Sequence, residues 1–306
     1  MRRRQQPPLA KRHGLDPARV RMPEDGTWPT VREFLTATQQ RISPGRIDEM
    51  LAAGGIVDMG GPVSADAPYV PGEAVWFHRD LPSETVVPFD TSIVHRDDAI
   101  LVVDKPHFLP TIPRGGHILQ TALVRLRLEL DLPHLVPAHR LDRVTAGLVL
   151  FVVDPTVRGA YQTLFQDRKV HKEYEAIAAY EPSLTLPNVV RSRIVSDKGE
   201  FTAREVDGEP NAHTAVELLE HRGGIGRYQL TPSTGRTHQL RLHMNSLGVP
   251  ILGDDLYPTP TGRAVDDFTA PLQLLASALE FTDPISKSLR RFESRSSLER
   301  WVSDEP

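Results

Sequence analysis

The 306-residue chain has no cysteine. This excludes disulfides, thiol nucleophiles and zinc sites built on cysteine, and it is compatible with a reducing compartment. No run approaches the ~18 consecutive apolar residues that a membrane-spanning helix needs. The opening MRRRQQPPLAKRHG is basic but has no apolar stretch behind it. It therefore does not read as a secretory signal, and a cytoplasmic location is the expectation. Excess positive charge is also missing. Lys and Arg number 36 against 40 Asp and Glu, a formal net charge of −4. Any nucleic-acid site must then be a local basic surface on a mildly acidic protein. What is present is the composition of a globular protein, 39% hydrophobic and 25% charged. The length allows one large domain with a smaller one, or a single large α+β domain.

Residues 1–28 are rich in Arg and Pro and show no apolar period, which reads as a basic, mostly disordered tail. Its arginines could touch phosphates or simply be solvated. From 29 to 81 a small domain is expected. Val31, Phe34 and Leu35 have helical spacing. Ser43-Pro44 reads as an N-cap with proline at the first helical position, and Gly54-Gly55 as the end of that helix. Short strands are expected at Ile56-Val57 and Val75–Phe77. Residues 82–88 read as a linker, and 89–302 as a larger domain of mixed strands and helices. Ile100–Val103 and Leu148–Val153 are apolar runs of strand type, and the second suggests a buried strand. Helical patterns cover Thr121–Leu130, Tyr161–Arg168 and His238–Leu247. Tyr174, Ala176 and Ala178 alternate as in a strand.

Three strings carry chemistry. In His139-Arg140-Leu141-Asp142-Arg143-Val144-Thr145-Ala146-Gly147-Leu148, an aspartate stands between two arginines just before the valine-rich run. The guanidinium charges favour its ionised form. A following buried strand would hold it rigidly, and a carboxylate can be a covalent nucleophile at a sugar carbon. Taken alone, such an aspartate more often belongs to a structural ion pair. The second string, Phe165–Tyr174, joins a helix to a strand and ends in Lys-x-Tyr. An aromatic ring there could stack on an extruded base, although a core tyrosine is the default. In the third, Ser233–His243, glycine allows a tight turn, Thr237 can cap a helix, and Leu240, His243, Met244 and Leu247 line one helical face. It is far from a phosphate-binding loop. His238 and His243 are five residues apart and do not share a face for a metal.

Together the strings resemble the RluA-type RNA pseudouridine synthases. HRLDRVTAGLVLF is similar to that family's HRLDxxTSGLLLF signature, with Ala146 where serine is usual. GRTHQLRLH matches its GRTHQxRxH motif. Weaker likenesses run through Ile93–Pro106, which ends in Lys-Pro, and Ile251–Tyr257, a GDxxY segment whose Asp254-Asp255 reads as structural. They continue through Leu272–Pro284, where Leu275 replaces a usual histidine. The resemblance covers about the last two-thirds of the chain, with its motifs in order.

The resemblance implies an α+β fold with a mixed, largely antiparallel sheet, flanking helices and a central cleft. It implies an isomerase that converts uridine to pseudouridine in ribosomal or transfer RNA, with no cofactor and no metal, acting as a monomer. Asp142 would be the catalytic nucleophile, or would assist deprotonation at the sugar. Tyr174 would stack on the base, and Arg241 would pair with Asp142. Leu240 would pack against the base, and His139, Arg140, Lys172 and Arg236 would be further substrate-binding residues. The segment 29–81 resembles the small S4-type RNA-binding domain. Two other classes remain open: a non-catalytic RNA-binding protein that keeps the fold, and a metal-dependent RNA enzyme, which would need a carboxylate or histidine cluster.

Overall fold

A computed structural model describes residues 7–186, 188–197 and 202–302. The chain forms two compact units, 1–83 and 84–306.

In the first unit the elements are β1 (Ala18–Arg21), α1 (Val31–Thr38), α2 (Pro44–Ala52), β2 (Ile56–Val57) and β3 (Ala74–Phe77). Ser43 caps α2 as its sequence indicates, accepting from Arg46 N at 3.3 Å, and Thr30 caps α1, accepting from Glu33 N at 3.2 Å. Val31, Phe34 and Leu35 of α1 pack with Ile47, Met50 and Leu51 of α2 over Val75 and Phe77. The sheet runs β1-β3-β2, all antiparallel. β1 corrects the reading of 1–28 as a tail. Residues 1–6 lie outside the described residues, but Ala18–Arg21 pairs with Ala74–Phe77 and Met22 is buried. Four residues of ARVR are too short to show a period, and it is β3 that makes them a strand.

The second unit begins earlier than the linker reading implies. The Glu84 carboxylate accepts the backbone N–H groups of Ile118, Leu119 and Gln120 at 2.8–2.9 Å, and Val87 is buried. Its first elements are β4 (Ser92–Arg96), β5 (Ile100–Lys105), α3 (Ala122–Glu129), β6 (Val136–Pro137), β7 (Ala146–Val152), α4 (Arg158–Gln166) and β8 (His171–Ala179). There follow β9 (Asn188–Val195), β10 (Arg204–Val206), β11 (Ala212–Arg222), β12 (Ile225–Pro232), α5 (Gln239–Ser246), β13 (Leu274–Thr282), β14 (Leu289–Glu293) and α6 (Glu299–Val302). Among the described residues the strands form one sheet in the order β10-β9-β11-β12-β8-β13-β7-β5-β4, with β14 beside β13 and β6 beside β7.

β5 and β7 are buried at every position, which is why their sequences are continuous apolar runs. Val149 and Phe151 face one core with Leu126 of α3 and Leu240 and Met244 of α5, while Leu148, Leu150 and Val152 face another with Tyr161 of α4. Helices therefore cover both faces. The pairing of β7 with β13 is parallel, and the other ladders are antiparallel. That seam lies mid-sheet and has a specific demand. Gly147 sits at φ +107°, and a Cβ there would fall 2.5 Å from Ala276 N and against the Ala276 carbonyl. Only glycine permits both the conformation and the approach. No described helix is long and apolar enough to cross a membrane.

Candidate active site

Asp142 lies on the loop just before β7, beside the middle of the sheet. Its backbone is held from the segment that follows β5. The Thr111 hydroxyl, buried, donates to Leu141 O at 2.9 Å and accepts from Leu141 N at 3.1 Å. Lys105 Nζ donates to Arg143 O at 3.3 Å and to Pro106 O at 2.9 Å. His107 Nδ1 donates to Val144 O at 2.7 Å. A turn bond from Thr145 N to Asp142 O at 3.2 Å closes the loop. The residues on either side of Asp142 are thus fixed, and its carboxylate remains 37% exposed with His238 Nε2 4.0 Å away.

The pinning groups are themselves unusual. Burial drives Lys105 down to about 7, with Asp142 opposing and Arg143 assisting. Burial takes His107 down to about 4, so it is neutral and acts through its Nδ1–H. From the sequence, Lys105 was visible only as the Lys of a Lys-Pro pair. The roles of His107 and Thr111 had no local signal, because both act on backbone some thirty residues away.

Tyr174 is on β8, opposite Leu230 of β12 and Ala276 of β13. Burial, then the Asp142 charge, pushes its phenol above the ordinary range. It is a neutral ring and a potential proton donor beside the carboxylate. Leu240 is on α5, nearly buried in the core that Tyr174 also packs against.

Arg241 differs from expectation. Among the described residues it makes no ion pair with Asp142. Its Nε donates to Asp254 Oδ2 at 2.7 Å, and Nη2 donates to Asp254 Oδ1 at 2.5 Å and Asp255 Oδ1 at 2.7 Å. Burial opposes its charge, but the Asp254 hydrogen bond and the charges of Asp254, Asp142 and Asp255 outweigh that and hold it above its ordinary value. Asp254 and Asp255, adjacent on one turn, both reach this guanidinium, in keeping with a structural role. Asp254 can do so because its Oδ1 also accepts Leu256 N and Tyr257 N, which folds the turn around it. Arg241 thus acts on Asp142 through space.

The turn before α5 places His238. Its backbone is left-handed (φ 55°) and it, not Thr237, occupies the N-cap, without a side-chain cap bond. Tyr257 Oη gives its one proton to Ala203 O at 2.7 Å, so His238 Nδ1, 3.0 Å from that oxygen, must be the donor. Nε2 is then the nitrogen that faces Asp142. Burial lowers the His238 pKa, with Asp142 working against it. Buried Gln239 fastens the turn, donating to His213 O and Thr214 Oγ1, both at 2.9 Å, and accepting from Thr234 Oγ1 at 2.8 Å and Arg236 N at 3.0 Å.

The remaining candidates separate. His139 accepts Leu150 N at 3.1 Å and stacks on Phe165 at 4.4 Å. Burial, then Lys172, lowers it to about 3, and its position serves packing. Lys172 is committed to Thr234 O at 3.1 Å. Arg236 is exposed, with Nε 3.3 Å from Asn211 O. Arg140 is exposed and has no hydrogen-bond or ion-pair partner among the described residues. The two departures from the family pattern meet. Ala146 and Leu275 are direct partners across the β7–β13 seam, and both are buried with Ile177 and Leu298.

A family profile described as RNA pseudouridylate synthase matches residues 99–246, a span that holds Asp142, Tyr174 and Arg241. The dual-specificity RNA pseudouridine synthase RluA of Pasteurella multocida is 33% identical over 215 residues, covering 66% of this chain and 91% of that protein. The ribosomal large subunit pseudouridine synthase D of Yersinia pestis is 29% identical, covering 85% of this chain and 78% of that protein. Among solved structures, human RNA pseudouridylate synthase domain containing 4 superposes with a TM-score of 0.52 at 25% identity, covering 69% of this chain and 89% of that one. A mixed sheet with helices on both faces, a half-exposed aspartate on a pinned loop, and these relatives lead to one assignment: the chain belongs to the RluA-type RNA pseudouridine synthases, which are isomerases.

Proposed function

We propose that this enzyme isomerises specific uridines in ribosomal or transfer RNA, with Asp142 as its nucleophile. The observation that carries this is the contrast at the loop. Thr111, Lys105 and His107 fix the backbone around Asp142, while its carboxylate is left without a hydrogen bond among the described residues. A structural aspartate would be the reverse. Free placement of a pre-oriented group is what nucleophilic attack requires.

In the reaction the C1′–N1 bond breaks, the uracil turns while bound, and C1′ bonds to C5. The C5 proton leaves and N1 gains one, so the base composition is unchanged. Asp142 would hold C1′, or take the sugar proton in the variant route. The Tyr174 ring would stack on the uracil, in a nucleotide drawn from its helix because the glycosidic bond is otherwise shielded. Arg241, anchored on Asp254 and Asp255, would hold its guanidinium within electrostatic reach of Asp142. Arg140, exposed and without a partner among the described residues, is the first candidate for the RNA backbone.

We read the N-terminal unit as S4-like. Its helix cations are largely neutralised within the unit: Arg46 donates to Asp80 at 2.7 Å and Glu49 at 2.8 Å, and Arg32 is paired with Asp48. A packing role suits it better than an RNA-binding one.

The test is pseudouridine mapping of total RNA from cells lacking the gene, complemented by wild type or Asp142→Asn. Sites that vanish and return only with wild type identify the substrate. If Asp142→Asn restores them as well, the nucleophile assignment is wrong and the chain acts as a binder.

A further inference from the structure

A concavity of about 480 Å³ opens beside the start of β8, lined by residues 168–171 and 231–233. It is three residues from Tyr174 along β8. Its two walls are tied together, because Lys172 Nζ is bound to Thr234 O. Its volume is within the range of small-ligand sites.

Its charged groups are unequal. Lys169 leans on Asp167 at 2.9 Å and His171 on Glu173 at 3.2 Å. Arg168 is exposed and, among the described residues, has no hydrogen-bond or ion-pair partner for its guanidinium. Its charge is felt at Lys172, whose pKa is lowered first by burial and then by Arg168.

The backbone of Arg168 adds an independent observation. It has φ 58° at the end of α4. Lys169 N reaches back to Leu164 O at 2.8 Å and Arg168 N to Phe165 O at 3.3 Å. This is the helix-ending turn in which the left-handed residue is normally glycine. An arginine there is less favourable than glycine. The helix dipole returns part of that difference, but among the described residues the guanidinium makes no hydrogen bond or ion pair. Non-glycine residues held in this region gather at binding sites.

We propose that this concavity is a phosphodiester-binding subsite for the RNA strand flanking the target uridine, anchored by Arg168. The subsite rests on the reading that the chain acts on RNA. Phosphate contacts of this kind set register and orientation without reading sequence, so Arg168 would fix how far along the strand the target lies from Tyr174.

Replacing Arg168 by glycine separates affinity from folding, since it removes the guanidinium and suits the turn. The full chain is used with a transcript that wild type converts. Affinity is measured against salt in an Asp142→Asn background, and kcat, KM and the thermal midpoint in the otherwise unaltered chain. Arg168→Gly is expected to leave the midpoint unchanged or raise it. Affinity should weaken about tenfold at low salt, and the slope of log K against log salt should fall by about one. KM rises and saturated kcat holds, while Arg168→Lys lies between. An unchanged affinity and slope in Arg168→Gly overturns the subsite, whether or not the midpoint falls. A midpoint that falls with affinity intact assigns Arg168 to the helix end alone. Failure of the RNA reading looks different: wild type makes no pseudouridine and shows no salt-dependent binding, and the subsite falls with it.

Discussion

Thr111→Val isolates the pinning of the Asp142 loop. The change keeps the side-chain volume and removes one hydroxyl that serves both polar groups of Leu141, at 2.9 and 3.1 Å. Thr111 is 2% exposed, so water cannot readily replace it. Two hydrogen bonds lost, with an amide and a carbonyl stranded, amount to about 2–4 kcal/mol. In a unit of this size that lowers the thermal midpoint by about 4–16 °C. Leu141 immediately precedes the nucleophile, so a loosened loop should also cost about ten- to a hundredfold in kcat. RNA affinity should change little, because Thr111 is sealed from solvent. Thr111→Ser, which keeps the hydroxyl, should recover most of both losses. Single-turnover pseudouridine formation and chemical denaturation on the three proteins provide the comparison. If valine retains full kcat, or serine is as damaged as valine, the hydroxyl does not place Asp142.

Gly147→Ala should destabilise by about 3 kcal/mol or more, since the new Cβ meets the Ala276 backbone in a conformation alanine avoids; a midpoint within 2 °C of wild type would contradict this. Lys105 makes stability pH-dependent. Its folded value is about 7 against an ordinary 10.5. Between these the unfolded chain binds more protons, so the contribution of Lys105 to stability rises with pH across that window and is lost as pH falls through about 7. The rise approaches about 1.4 kcal/mol per pH unit. Urea midpoints at pH 7 and pH 9 should therefore climb in wild type relative to Lys105→Met, and parallel curves would refute it.

How much of this was readable depended on whether a residue acts locally. Ser43 and Thr121 cap helices a few residues on, and both helices lie where their spacing indicates. The runs at Ile100–Val103 and Leu148–Val153 became the buried strands β5 and β7. Beyond that range the sequence is silent. β9 to β12 carry Arg, Glu and His on half-exposed faces, and two of the buried positions of β12 are Gly226 and Pro232, so no apolar run marks them. Asp142 and Tyr174 stand out because motifs carry them, and the Asp142 charge reaches the Tyr174 phenol. The partners of Arg241 were not legible: the choice of Asp254 and Asp255 over Asp142 is made by the fold of a turn that no spacing describes. Thr237 offered a cap, but the left-handed backbone of His238 took its place.

The pairing of Ala146 with Leu275 bears on how the family's variation should be interpreted. Read along the sequence, a missing serine and a missing histidine look like two separate losses, each near a functional motif. Across the seam the two positions are neighbours, packed together with Ile177 and Leu298. Either partner reverting alone would leave a hydroxyl or an imidazole among Ile177 and Leu298 with nothing to bond. The two positions are therefore expected to be inherited together. A relative with only one of the changes would be the informative one, because it would have had to find its polar group another partner.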